Sequence, residues 1–352
     1  LAAVLHILKK GGVITASEGN LAAYSTVWLL EAAAYCAVNC YALISGYVGY
    51  SDRPKPLRLA RCIELWLQVV FYSVIITTVY CIAGVGSVGV SDFADAFLPV
   101  TSKQYWYFTA YIGMFFFIPL LNALVRRLNR RALVSLCIML IAVFSLYDTF
   151  ASFWKKDPLA LVGGHSPLWL GVLYIFGAAM KKLRVPESMS SKKALLIYAS
   201  AAVFTALFKI TGDRLLRFVP GSLFVRDTSP TVLLCAAALL VAFARFKPGR
   251  KLTEFAVLFA PAAFGVYLLH VSPLVFEHVI GNRFAFIGRL PFPLIPFAVL
   301  ASAGVILVVG LAADKVRILL FKALGVPKMC RKAEKSIRRL WMHVVDAAAN
   351  RE

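Results

Sequence analysis

"YSTVWLLEAAAYCAVNCYALISGYVGY", residues 24–50, is a run of 27 residues with a single charge, and its reading decides the fold. Wound as a helix at about 1.5 Å per residue it reaches about 40 Å, enough to cross a hydrocarbon layer of roughly 30 Å. Polar residues interrupt it. At about 100° per residue, Tyr35, Asn39, Ser45 and Gly46 share with Glu31 an arc of about 120°. A span facing only lipid has no use for such a stripe. The stripe serves either close packing against another helix, through small and hydroxylated residues, or the wall of a polar chamber.

Runs of this kind recur along the chain. Of its 352 residues 61% are hydrophobic and 16% charged, with a mean hydropathy of +0.78. A soluble domain carries about a quarter charged residues, so this surface is not built for water. The pattern predicts an all-α, polytopic helical membrane protein of about ten transmembrane helices. They are expected at 1–9, 24–50, 62–83, 104–124, 132–150, 167–180, 194–211, 229–246, 254–275 and 292–312. The run at 1–9 is too short to cross a bilayer and reads as the second half of a span that begins upstream. No basic start or cleavage site marks a signal peptide.

The charge is placed by position. The net charge of +21 resembles that of a nucleic-acid binder, but 27 of the 38 basic residues fall in alternate loops and the tail. These are the loop with Arg53, Lys55, Arg58 and Arg61, then "RRLNRR" (126–131), "KKLRVPESMSSKK" (181–193), "RFKPGRK" (245–251) and the segment from 313 onward. Cationic loops stay on the cytoplasmic side, so both termini are expected in the cytoplasm, and no nucleic acid is implied. The charge mostly encodes topology, with anionic lipid headgroups or an anionic cofactor as secondary partners. The tail 313–352 spaces Ile337, Leu340, Trp341 and Val344 as one apolar stripe beside a basic face, which predicts a surface-lying amphipathic helix. The seven cysteines form no CxxC pair, so neither a zinc site nor a disulfide framework is indicated.

Chemistry in such a chain is sought among ionisable residues inside spans, where each is costly. His6, Glu31, Asp148 and His270 qualify. An imidazole such as His6 can act as a general base, or it can simply bond two helices together. His270 closes "FGVYLLH" with Tyr267 one turn earlier, and Pro273 then ends or kinks the helix. No GxSxG, HExxH, P-loop or GxGxxG motif is present.

Four segments, in order, resemble the acyltransferase family 3 of bacterial membrane enzymes. "LAAVLHILKKGG" resembles the end of the family's first helix, and its His6 matches the catalytic histidine. "VNCYALISGYVGY" resembles the second-helix motif at Ser45, Gly46 and Tyr47, followed by cytoplasmic arginines matching Arg58 and Arg61. "QYWYFTAYIGMFFFIPLLN" resembles the helix led by Trp106 and Tyr107, and "FGVYLLHVSP" the late segment with Gly265, Tyr267 and His270. The family's arginine lies eleven positions before its histidine, which here falls upstream of Leu1, and it is expected in a longer chain.

The resemblance implies a transmembrane domain over 1–312 that transfers acetyl, or another short acyl group, from cytoplasmic acyl-CoA to a carbohydrate hydroxyl. The acceptor is a cell-surface or lipid-linked glycan, no metal is needed, and the place is the bacterial cytoplasmic membrane. His6 is implied as base or acyl carrier. Arg58 and Arg61, with Arg126 and Arg127, are implied as partners for CoA phosphates, and Trp106 and Tyr107 as stacking surfaces. Glu31, Asn39, Ser45, Gly46, Tyr47, Tyr267 and His270 are expected around the cavity. Two other classes stay open: a transporter or flippase of a lipid-linked or polar solute, and a non-catalytic sensor related to the enzymes.

Overall fold

The computed structural model describes residues 1–215 and 219–349, with side chains described only as far as His343 at the C-terminal end; Val344 of the tail stripe lies outside the described side chains. The principal helices are α1 (Ala2–Leu8), α2 (Leu21–Gly49), α3 (Leu59–Ala83), α4 (Trp106–Phe115), α5 (Ile118–Arg127), α6 (Arg130–Trp154), α7 (Pro167–Lys182), α8 (Ser191–Arg214), α9 (Pro230–Ala244), α10 (Arg250–Val271), α11 (Ile295–Ala323) and α12 (Val326–Ala349).

Six of these, α2, α3, α6, α8, α10 and α11, are long and apolar enough to cross a membrane, and α4 with α5 makes a seventh if that pair, bent by 57°, is one span. The expectation of about ten transmembrane helices is therefore corrected to six or seven among the described residues. The expectation of both termini in the cytoplasm assigned the basic segments to alternate loops between ten spans, and it is not carried forward with that count. Each miscounted run has a local cause. α1 has only seven residues, and α7 and α9 have 16 and 15. The run 104–124 breaks at Phe116–Phe117, and Pro119, which has no N–H, sits in the first turn of the new helix, where that donor has no partner to lose.

Apolar composition says that a helix avoids water; it does not say whether lipid or protein replaces the water. α7 shows the difference. Trp169, Leu170 and Leu173 are fully buried and Tyr174 nearly so. A side chain at Gly46 of α2 would lie 2.1 Å from the Tyr174 carbonyl, and one at Gly177 of α7 would lie 2.0 Å from that of Leu43. Two glycines thus let α2 and α7 touch backbone to backbone. α7 is greasy because it fills the protein core.

The ends of the helices gather on two faces. On one, Lys181 donates to the Tyr50 carbonyl at 2.9 Å, Arg245 to that of Pro186 at 2.9 Å, and Arg338 of α12 to that of Leu57. This face collects the basic segments. On the other, Arg214 donates to the Glu18 carbonyl at 2.8 Å, and the 282–284 segment bonds back to Lys10 and Gly11 through two backbone N–H groups. Lys182 on the basic face spends all three of its donors on the carbonyls of Val125, Arg126 and Leu128, at 2.8, 2.9 and 2.6 Å, closing the end of α5. Lys182→Met is expected to destabilise the protein by roughly 1.5–3 kcal/mol, the range for hydrogen bonds to a charged group. A thermal midpoint in detergent that does not move would show that water replaces the ammonium at no cost.

Candidate active site: a buried histidine pair

α10 is set by its neighbour α11. A side chain at Gly265 would lie 2.2 Å from the Asp314 carboxylate, and one at Gly310 would lie 2.8 Å from the Val266 backbone. That close contact fixes the turn from which His270 projects. His270 Nδ1 is 2.6 Å from the Val266 carbonyl, which can only accept, so Nδ1 carries the hydrogen and Nε2 of the neutral ring holds a lone pair. His6 Nδ1 lies 2.9 Å from that Nε2, so the shared hydrogen is on His6. The chain of bonds leaves one nitrogen free: Nε2 of His6, with its lone pair open. A second residue can thus select the tautomer of the first.

α1 reaches this position through its C-terminal turn. Gly12 adopts φ +85, a left-handed conformation open to glycine, and a side chain there would lie 2.9 Å from Asn282 Oδ1. Lys10 pairs with Glu277, and the Phe276 ring meets His6 edge-on at 5.1 Å. His6 is half-buried and His270 is 4% exposed.

A cavity of about 650 Å³ lies between α2, α3, α4 and α10, lined by Tyr41, Ser45, Arg61, Tyr107, Tyr111 and Tyr267 among others. It joins the basic face, at Arg61, to Tyr267, whose ring centroid is 6.4 Å from that of His270. Tyr107 stands against Tyr267 at 6.3 Å and against Tyr41 at 5.8 Å. Four expected site residues, Ser45, Arg61, Tyr107 and Tyr267, therefore meet in one cavity next to the histidine pair.

The others are dispersed. Asn39 is fully buried and latched at both ends, donating to the Asp227 carbonyl at 2.7 Å and accepting from the Trp169 indole at 3.1 Å. Glu31 is buried with Oε2 unpartnered. Gly46 is the contact with α7 described above. Tyr47 lies under the Lys181 ammonium at 5.9 Å. Arg58 is exposed at the start of α3, Arg126 is half-buried and Arg127 exposed at the end of α5. Trp106 turns to the face opposite the basic loops and stacks on His165 at 4.0 Å; His165 in turn lies 3.2 Å from the Asp227 carboxylate. Burial pushes the Asp227 carboxyl up, and the hydrogen bond and charge of His165 oppose it.

Sequence reasoning passed over Asp314 and Arg317, whose side chains make a buried ion pair at 2.6 Å. The signal was available: the apolar pattern continues past residue 312 through Ile318, Leu319, Leu320 and Phe321. Among the described residues no group of three or more His, Cys, Asp and Glu side chains is arranged to hold a metal.

The fold defines an all-α polytopic membrane protein, with a histidine pair next to a cavity that reaches the basic face. Residues 6–313 match the family model described as an acyltransferase domain, and the chain belongs to that family, acyltransferase family 3. No curated relative and no solved structure matches the chain.

Proposed function

We propose that the protein is a membrane-bound O-acyltransferase of the bacterial cytoplasmic membrane. It moves an acetyl or short acyl group from acyl-CoA to a hydroxyl of a cell-surface or lipid-linked carbohydrate. One observation carries the reading: a histidine pair with one uncommitted nitrogen lies next to Tyr267, which lines a cavity that reaches Arg61.

His6 Nε2 takes the proton of the acceptor hydroxyl as that oxygen attacks the thioester carbonyl. The new C–O ester bond forms, the C–S bond breaks, and the imidazolium returns its proton to the departing thiolate. His270 holds His6 in the working tautomer and accepts its Nδ1–H throughout, a positioning role. Arg61 and Arg58 supply charge-assisted donors for the CoA phosphates, with Arg126 and Arg127 on the same face. Tyr107 and Tyr267 wall the path that the acyl arm follows. Basic loops favour the cytoplasmic side, where acyl-CoA is made. Trp106, on the far face, belongs to the acceptor side. α12 lies along the membrane surface, with Ile337, Leu340 and Trp341 exposed for lipid.

The test is transfer of radiolabel from acetyl-CoA to envelope carbohydrate by the full chain in nanodiscs. Arg61→Gln is expected to raise KM for acetyl-CoA about tenfold, equivalent to about 1.4 kcal/mol, with kcat little changed. An unchanged KM removes Arg61 from the donor site. Solute flux without any acetyl transfer would favour the transporter.

A further inference from the structure

The histidine pair is approached by a second opening, and this one faces lipid. α10 and α11 touch at Gly265 and Gly310. Beyond them the helices part, because Ser272 leaves helical geometry (φ -50, ψ 131) ahead of Pro273 and turns the chain aside. The resulting groove encloses about 370 Å³. Its walls are apolar, among them Leu269, Val279, Val305 and Val309, and its two polar side chains are His270 and Ser302. Val279, Val305 and Val309 are 52%, 63% and 54% exposed. α11 is a membrane-spanning helix, so the groove mouth opens to hydrocarbon tails.

The rim at the outer end has the opposite character. Phe284 lines the groove and Arg283 precedes it. Arg283 is exposed, bonds to the His278 carbonyl at 3.4 Å, and pairs with no carboxylate among the described residues. A hydrocarbon slot below a free guanidinium matches an amphiphile with an anionic head. A water-soluble polysaccharide has no need of such a slot, whereas a lipid-borne hydroxyl needs both the slot and its reactive end.

We propose that the acceptor hydroxyl is carried by an anionic membrane lipid, whose chain occupies the α10–α11 groove and whose phosphate faces Arg283. The inference rests on the acyl-transfer reading above and narrows it. Donor and acceptor then reach the histidine pair by separate routes, from the tyrosine-lined cavity beside Tyr267 and from the groove at His270, within one turn of α10.

The experiment uses the full chain in phosphatidylcholine nanodiscs carrying a photoreactive phosphatidylglycerol, a lipid with both a phosphate and free hydroxyls. Crosslinks are expected on the peptides holding Val279 and Val305. Long-chain polyprenyl phosphate should compete, and glycerol phosphate should not. Val305→Trp and Val279→Trp, each a sufficient test if the other does not fold, should cut labelling about fivefold, and Arg283→Gln about tenfold by loss of one charged contact. Labelling spread evenly over the lipid-facing surface, or unchanged in the filled variants, overturns the proposal.

A parallel arm supplies radiolabelled acetyl-CoA. Label in the organic extract supports the lipid acceptor. Label confined to water-soluble glycan overturns it while acyl transfer stands. Groove labelling without any transfer refutes the acyl-transfer reading and the acceptor role with it, leaving a lipid site.

Discussion

His6→Ala is expected to lower kcat for acetyl transfer by about 10²–10⁴-fold, the range for loss of a positioned general base, with KM for acetyl-CoA nearly unchanged. The expectation follows from the geometry of one nitrogen. His6 Nδ1 is committed to His270, and both nitrogens of His270 are committed to His6 and to Val266. Only His6 Nε2 can accept a proton from an incoming hydroxyl. Replacing the partner separates orientation from chemistry. His270→Gln keeps an oxygen that accepts the His6 Nδ1–H, so it should retain far more activity than His270→Phe, which frees His6 to rotate and to change tautomer. If both His270 variants lose activity equally, the tautomer argument fails and His270 has a role of its own. Transfer above a tenth of the starting rate in His6→Ala, in protein of normal abundance, would remove His6 from the mechanism altogether.

How far this site is legible in the chain depends on which residues are asked about. His6 and His270 stand out singly, because an imidazole in an apolar run is costly and rare. Their pairing is a matter of how α1 docks on α10, across 264 residues, and no local pattern encodes it. Trp106 and Tyr107 teach the converse. As neighbours in a motif they read as one aromatic surface, yet consecutive helical residues point about 100° apart, and the two end beside His165 and in the tyrosine cavity. The polar stripe of α2 divides in the same way. Asn39 is a latch to Asp227 and Trp169, Gly46 is a contact with α7, and Ser45 alone of the three meets the cavity. The span count fails because hydropathy measures distance from water, and a core helix such as α7 is as far from water as a lipid-facing one. What hydropathy does convey is the membrane class and the gathering of basic loops on one face.

Asp314→Ala is expected to be the most destabilising single substitution outside the histidine pair. The Asp314 carboxylate is fully buried and accepts from Gln68 at 3.0 Å, from the Tyr72 hydroxyl at 3.0 Å, and from Arg317 at 3.0 and 2.6 Å. Removing it leaves a guanidinium, an amide and a phenol without a partner in a region closed to water. Breaking one side of a buried ion pair typically costs about 3–5 kcal/mol, because the other charge remains. The thermal midpoint in detergent should therefore fall steeply. Replacing both charges, as Asp314→Leu with Arg317→Met, should recover much of that loss, since a well-packed apolar pair often equals the ionic one. Activity should not recover with it. Gly265 packs directly on the Asp314 carboxylate, one residue before the Val266 carbonyl that holds His270, so the shape of that carboxylate sets the register of α10. A double variant with restored stability and lowered kcat would identify Asp314 as a positioning residue for the histidine pair. Recovery of both together would make it a purely structural bond between α3 and α11.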